Sequence, residues 1–143
     1  VLRIIKHFYG SIHSRKPFYT AVMVSIAGFM SSPFFCVYGA SKAALKIFIE
    51  SVNVELKKSG TDNRILNVSP GRINGTNFYN GANNLSLLYP LADEIIYHMN
   101  NRNDLFIPEY EEVFKKVLER YHRDFRAEGE HSYEYKQEQL KRK

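Results

Sequence analysis

Two short apolar runs on either side of a long helical pattern most constrain the fold of this chain. The first run is AVMV, residues 21–24, and the second is RILNV, residues 64–68. Continuous apolar runs of strand length are typical of parallel strands that are covered by helices on both faces. The sequence therefore predicts two buried parallel strands that are joined by a helix.

The segment between these runs, residues 38–58, has the spacing of a helix. Its apolar stripe consists of Leu45, Phe48, Ile49, Val52 and Leu56. Gly60 follows the stripe and predicts the end of the helix. Further apolar residues, Ala43, Ile47 and Val54, lie off the stripe. They indicate a second apolar face that packs against a partner.

The other elements follow from the same patterns. Residues 1–9 predict the end of a helix, and residues 69–84, rich in Gly and Asn, predict a loop. Helices are expected from Pro90 to Asn100 and around Val113–Tyr121, with a strand over residues 104–107 between them. The order predicts an α/β fold with a parallel sheet. We expect one unit over residues 1–125 and a loosely held polar tail over residues 126–143.

Composition argues against several classes of protein. The net charge is +5, but Lys and Arg form no stripe interleaved with aromatic residues, so no nucleic-acid partner is expected. No apolar run approaches the roughly 20 residues of a membrane helix. The five histidines have no metal-ligand spacing, so no metal is expected. The single cysteine, Cys36, excludes an internal disulfide and favours a cytoplasmic protein.

Three segments of the sequence converge on one edge of the predicted sheet. Ser25 ends the first strand, Tyr38 and Lys42 stand four residues apart at the start of the helix, and Pro70–Gly71 follows the second strand. Residues at i and i+4 share one helix face. In open parallel sheets, ligands bind outside the carboxyl ends of the strands. These residues therefore predict a binding crevice at this edge of the sheet.

Each of these residues also has an ordinary structural interpretation. Tyr38 could be a core tyrosine, Lys42 a surface lysine and Ser25 a strand cap, whereas Arg72 could be solvated or touch a cofactor phosphate. It is the convergence of the three segments that favours catalysis. Cys36 is interpreted as a small apolar filler.

With these motifs together, the chain resembles the short-chain dehydrogenase/reductase family. That family has a serine at the end of a strand, then Tyr-x-x-x-Lys, then a Pro-Gly loop after the next strand. Ser25, Tyr38, Lys42 and SPGRINGT, residues 69–76, match this order, and the resemblance covers about residues 1–108. It implies the C-terminal part of a Rossmann-like doubly wound parallel sheet. It also implies an oxidoreductase that moves a hydride between NAD or NADP and a carbonyl or alcohol substrate.

The resemblance assigns roles to individual residues. Tyr38 is expected to act as the acid/base, since the alkoxide left by hydride transfer needs a proton. Lys42 is expected to stabilise the phenolate, by about 4 kcal/mol at ~4 Å, and to hold the ribose hydroxyls of the cofactor. Ser25 is expected to orient the substrate oxygen.

The loop after the second strand is expected to contact the cofactor. By resemblance, Pro70, Gly71 and Ile73 lie near the carboxamide and Thr76 lies near the phosphates, although Thr76 stands one residue later than is usual in the family.

The chain also departs from the family pattern. It contains no glycine-rich turn for the pyrophosphate and no residue that selects between NAD and NADP. We therefore expect the catalytic part of a longer enzyme, which forms a homodimer or homotetramer. The alternative is a non-catalytic fragment that serves only in association.

Overall fold

The computed structural model describes residues 1–77 and 83–141. Residues 78–82 of the predicted loop and residues 142–143 of the predicted tail lie outside the described residues. The strands are β1 (Thr20–Met23), β2 (Ile65–Val68) and β3 (Leu105–Phe106). The helices are α1 (Leu2–Ile12), α2 (Cys36–Ser59), α3 (Tyr89–Asn100), α4 (Lys115–Arg123) and α5 (Phe125–Lys141). Short turns of 3-10 helix at Ile26–Gly28 and Leu85–Leu87 and a π-helical turn at Tyr110–Phe114 complete the order.

The sheet is parallel throughout and has the order β1-β2-β3. Thr20 lies opposite Ile65 and Met23 opposite Val68, while Asn67 lies opposite Leu105. Helices alternate with the strands along the chain, so the predicted α/β fold with a parallel sheet is confirmed. All three strands therefore end at the same edge.

Two apolar layers cover the sheet. One layer packs side chains of α1 and α2 against β1 and β2, and its buried members are Ile5, Ile12, Val22, Val24, Ile49, Val52, Leu56 and Ile65. The other packs α3 against Leu66, Val68 and Phe106. The predicted stripe of α2 is thus confirmed as its core face. The prediction that helices cover both faces of β1 is not confirmed, because Ala21 and Met23 are exposed.

Two contacts fix α2 against the sheet. The buried Asn53 side chain pairs with the main chain of Ile65, donating to its carbonyl and accepting from its N–H, both at 2.9 Å. At the other end, Gly28 lies against the backbone of α2, where a Cβ on Gly28 would lie 2.8 Å from the carbonyl carbon of Lys42. The position of α2 is therefore set by a side-chain contact near its C-terminal end and by a backbone contact near its N-terminal end.

The C-terminal segment differs from the predicted loose tail, because residues 125–141 form α5. Asp124 begins this helix, and its carboxylate accepts hydrogen bonds from the N–H groups of Arg126 and Ala127, both at 3.0 Å. The buried Glu128 then pairs with Arg120 of α4. A side-chain cap and an ion pair thus hold a polar helix that has few buried apolar residues.

Candidate functional site

Ser25 lies two residues beyond the end of β1, at the carboxyl edge of the sheet. Its side chain is buried, and its Oγ accepts a hydrogen bond of 3.1 Å from the N–H of Ala27. This bond uses Ser25 as an acceptor, so its hydroxyl proton is left to donate to a ligand oxygen. The next residue, Ile26, donates its N–H to the carbonyl of Pro70 at 3.0 Å, which ties the β1 loop to the loop after β2.

Tyr38 and Lys42 lie one helical turn apart at the start of α2. The ammonium of Lys42 lies 5.5 Å from the centroid of the Tyr38 ring and donates a 3.0 Å hydrogen bond to the carbonyl of Met23. Met23 is the last residue of β1. The positive charge of Lys42 therefore lies between the carboxyl edge of the sheet and Tyr38, the predicted catalytic tyrosine.

Ser25 and Tyr38 line the same cavity, which has a volume of about 470 Å³. Gly71 and Arg72, from the loop after β2, line it as well, whereas the described lining does not include Lys42. The structure thus brings together three of the segments singled out in the sequence. Apolar side chains of Met30, Phe114 and other residues form much of the remaining wall.

The rest of the Pro70–Thr76 loop has mainly local contacts. The hydroxyl of Thr76 donates to the carbonyl of Ile73 at 3.0 Å. Pro70 is engaged through its carbonyl, as described above, and neither Ile73 nor Thr76 is among the described cavity residues. The ring of Phe114 packs so closely on Gly71 that a Cβ there would lie 2.5 Å from Cζ of Phe114. A glycine is needed at this position for that contact.

The opposite wall of the cavity comes from α4 and α5, which the sequence analysis did not assign to the site. Arg120, Glu128, His131, Tyr135 and Lys136 all line it. The signal that could have identified this wall is Asp124, since an aspartate before a helix with a glutamate in the first turn is a typical start of a helix.

Two polar contacts position this wall. The guanidinium of Arg120 donates to both carboxylate oxygens of Glu128, at 2.6 and 3.0 Å, and this hydrogen bonding raises the pKa of Arg120. The ammonium of Lys136 donates to Ser32 Oγ at 3.0 Å and to the carbonyl of Pro33 at 3.2 Å. Burial lowers the pKa of Lys136. The helix α5 is therefore attached both to α4 and to the loop that leads into α2.

The described residues fit one end of a nicotinamide cofactor better than the other. The Lys42 ammonium is a suitable donor for ribose hydroxyls, and Gly71 lines the cavity near Tyr38. In contrast, the described residues contain no glycine-rich turn between a strand and a helix that could hold a pyrophosphate.

Metal-binding clusters and membrane-spanning helices are both absent from the described residues. These residues contain no group of three or more His, Cys, Asp or Glu side chains that could hold a metal ion. Within residues 1–77 and 83–141, no helix combines the length and apolarity of a membrane span.

Comparison with known proteins agrees with this geometry. Residues 19–84 match the family model for short chain dehydrogenases. The chain is 38% identical over 74 residues to the uncharacterized oxidoreductase TDA5 of Saccharomyces cerevisiae, an alignment that covers 51% of this chain and 23% of that protein.

Among solved structures, the fold resembles one described as a short-chain dehydrogenase from Novosphingobium aromaticivorans. The TM-score is 0.58 at 15% identity, and the alignment covers 87% of this chain and 43% of that one. The chain therefore corresponds to less than half the length of either relative. The predicted resemblance is confirmed: residues 19–84 are similar to short chain dehydrogenases, and the fold resembles that of a short-chain dehydrogenase.

Proposed function

We propose that the protein is an NAD(P)-dependent oxidoreductase that interconverts a carbonyl and an alcohol, with Tyr38 as the acid/base. The observation that carries this proposal is that Ser25 and Tyr38 line one cavity while the Lys42 ammonium lies 5.5 Å from the Tyr38 ring. The family and its oxidoreductase relative support the same class of reaction.

Each of the three residues has a distinct role in this reaction. Carbonyl reduction forms an alkoxide, and the Tyr38 hydroxyl donates the proton that turns it into an alcohol. Because the hydroxyl proton of Ser25 is not used by Ala27, it hydrogen-bonds the carbonyl oxygen and fixes its position. A positive charge close to the ring stabilises the resulting phenolate. Lys42 supplies that charge.

The cofactor in this proposal is NAD or NADP, which supplies the hydride when bound. Lys42 and Tyr38 hold its ribose, and the loop from Pro70 to Ile73 lies along its nicotinamide, with Thr76 toward the phosphates. These contacts rest on the family resemblance. No described residue selects between the two cofactors.

Ser25→Ala and Lys42→Ala test these roles in assays that follow NADH or NADPH oxidation with benzaldehyde. Ser25→Ala should lower turnover by about tenfold or more, equal to about 1.4 kcal/mol, and Lys42→Ala should lower both turnover and cofactor affinity. Ser51→Ala is the matched control, since Ser51 lies on the exposed side of α2. Equal rates for Ser25→Ala and Ser51→Ala would count against the proposal.

A second function, association with another copy, is favoured by a separate observation. The apolar side chains on α2 that lie off its core stripe are exposed: Val37 at 80%, Ile47 at 56% and Val54 at 62%. Ile4 and Phe8 of α1 are also exposed. We propose that these faces meet their equivalents in a two-fold dimer. The same exposed apolar surface would also serve the alternative, in which the chain associates with other copies but catalyses no reaction.

Sedimentation velocity at micromolar concentration tests this association. The native chain should sediment as a dimer or larger oligomer, and Val54→Lys should shift it toward monomer, because an isolated charge is poorly tolerated in an apolar contact. Asn100→Lys, at an exposed position on α3, serves as the control for one added positive charge. A native chain that is monomeric would contradict the proposed interface.

A further inference from the structure

The described lining of the cavity around Tyr38 contains more positively charged side chains than carboxylates. It contains one carboxylate, Glu128, and both oxygens of that group accept from Arg120. The other two cations of the wall are Arg72 and Lys136. Neither forms a salt bridge with any acidic residue in the described part of the chain. An anionic group in the cavity would therefore be attracted.

Lys136 is the more informative of these two cations because it is partly buried. Its ammonium has three protons, and it donates to two neutral oxygens, Ser32 Oγ and the carbonyl of Pro33. It also lies 5.4 Å from the centroid of the Phe35 ring. Burial without a counter-charge disfavours the charged form of a lysine, which agrees with the lowered pKa of Lys136. One N–H donor remains for a ligand.

The contact between α5 and the loop before α2 has a second polar group that is not satisfied. The hydroxyl of Ser31 is buried and has no hydrogen-bond partner among the described residues. Ser31 lines the same cavity, and Gly129 of α5 lies directly against its oxygen. Buried polar groups without partners are rare and costly. The wall that holds Lys136 thus has both charge and hydrogen-bonding capacity that the described chain does not use.

The remainder of the cavity is suited to an apolar body. Met30, Phe35, Val113 and Val117 contribute to its lining, and the volume of about 470 Å³ is that of a small-molecule site. A ligand that satisfies both parts of the wall has an apolar framework and an anionic group. A carboxylate meets this requirement, since its oxygens accept hydrogen bonds from an ammonium.

We infer that Lys136 forms an anion-recognition subsite in the substrate cavity, and that the substrates are carbonyl compounds with an apolar body and a carboxylate. This assignment of substrate class rests on the proposed function, whereas carboxylate binding at Lys136 does not require turnover. In this proposal Lys136 binds the carboxylate of the substrate, whereas Tyr38 protonates the oxygen of its carbonyl group.

The binding test uses benzoate and benzamide, which have similar shapes and differ in charge. Isothermal titration of the full chain should show tighter binding of benzoate. Lys136→Met should weaken benzoate by about tenfold or more, as expected for a lost charge-assisted hydrogen bond, and leave benzamide unchanged. Lys136→Met keeps an unbranched side chain that can still pack, and circular dichroism checks its fold.

Two further variants make the test specific. Lys136→Arg keeps the positive charge and should retain much of the benzoate affinity. Lys141→Met removes an exposed lysine from the same helix and should have no effect. Equal affinities for benzoate and benzamide, no measurable benzoate binding, or equal losses in Lys136→Met and Lys141→Met would each overturn the subsite.

Turnover separates this inference from the proposed function. With NADH or NADPH, 4-carboxybenzaldehyde should have a higher kcat/KM than benzaldehyde, and Lys136→Met should remove this preference mainly through KM. If the aldehydes are reduced without any preference, the substrate class is wrong while the reaction stands. If neither is reduced but benzoate still binds through Lys136, the reaction is wrong and the anion subsite stands.

Discussion

Gly28 is the position at which a single methyl group should most disturb the relation between Ser25 and α2. A Cβ at Gly28 would lie 2.8 Å from the carbonyl carbon of Lys42 and 3.0 Å from both the Lys42 carbonyl oxygen and the Ala43 nitrogen. All three atoms belong to the backbone of α2, so no side-chain rotation can relieve the contact. Ordinary van der Waals separations are ~3.5–4.0 Å. Gly28→Ala must therefore move α2 away from Ser25 by several tenths of an ångström.

The cost of this movement can be estimated from overpacked cores. Inserting a methyl group into a well-packed site costs about 1–3 kcal/mol, and a backbone contact belongs at the upper end of that range. At about 4 °C per kcal/mol for a chain of this size, Gly28→Ala should lower Tm by about 8–12 °C. Because Lys42 is itself displaced, turnover should fall by more than the loss of folded protein explains.

Gly10→Ala is the matched control for this substitution. Gly10 lies within α1, and a Cβ there has no atom within 4 Å. Alanine is favoured over glycine inside a helix by about 0.5–1 kcal/mol, so Tm should rise by a few degrees. Thermal unfolding followed by circular dichroism at 222 nm measures both variants. If Gly28→Ala unfolds at the same temperature as the native chain, or above it, the close approach of α2 described here is wrong.

Two other substitutions test the contacts that position the site. Asn53→Ala leaves both main-chain groups of Ile65 without their buried partner. It should therefore lower the free energy of unfolding in urea by about 2–4 kcal/mol, whereas Asn100→Ala on the exposed side of α3 should change it by less than about 0.5 kcal/mol. Glu128→Gln removes the charge from the pair with Arg120 and should cost about 1–3 kcal/mol, while Glu130→Gln on the same helix should be nearly neutral. If Asn53→Ala lost no more stability than Asn100→Ala, the Asn53 contact would not hold α2. If Glu128→Gln lost no more than Glu130→Gln, the Glu128 contact would not hold α5.

The parts of the fold that could be predicted from the sequence are those with strong apolar patterning. The apolar stripe of α2 can be buried only if that face of the helix packs on the sheet, and the apolar side chains of β2 can be buried only if helices cover the strand. Gly60 ends α2 with a φ of 79°, as a helix-ending glycine does. The common edge of Ser25, Tyr38 and Pro70 follows from the parallel strand order alone. Those predictions needed no knowledge of tertiary contacts.

The parts that could not be predicted depend on polar contacts between distant residues. Helix α5 has no apolar stripe like that of α2, and its position depends on Glu128 with Arg120 and on Lys136 with Ser32. The bond from Lys42 to the carbonyl of Met23 likewise exists only once β1 and α2 are packed. Spacing in the sequence carries no signal for such pairs. Asp124 could have marked the start of α5, but nothing in the sequence would have placed that helix against the cavity.

Tyr38→Phe tests the central claim most directly, because it removes one hydroxyl and keeps the ring. We expect the variant to retain its fold and to bind NADH or NADPH more weakly, because one of the two ribose contacts is lost. At saturating cofactor it should still lose at least about nine-tenths of its benzaldehyde reductase activity, a cost of about 1.4 kcal/mol or more. Tyr97→Phe is the control, since Tyr97 is an exposed tyrosine on α3. It should keep full activity. A Tyr38→Phe variant that reduces benzaldehyde at more than about a tenth of the native rate would contradict the assignment of Tyr38 as the proton donor.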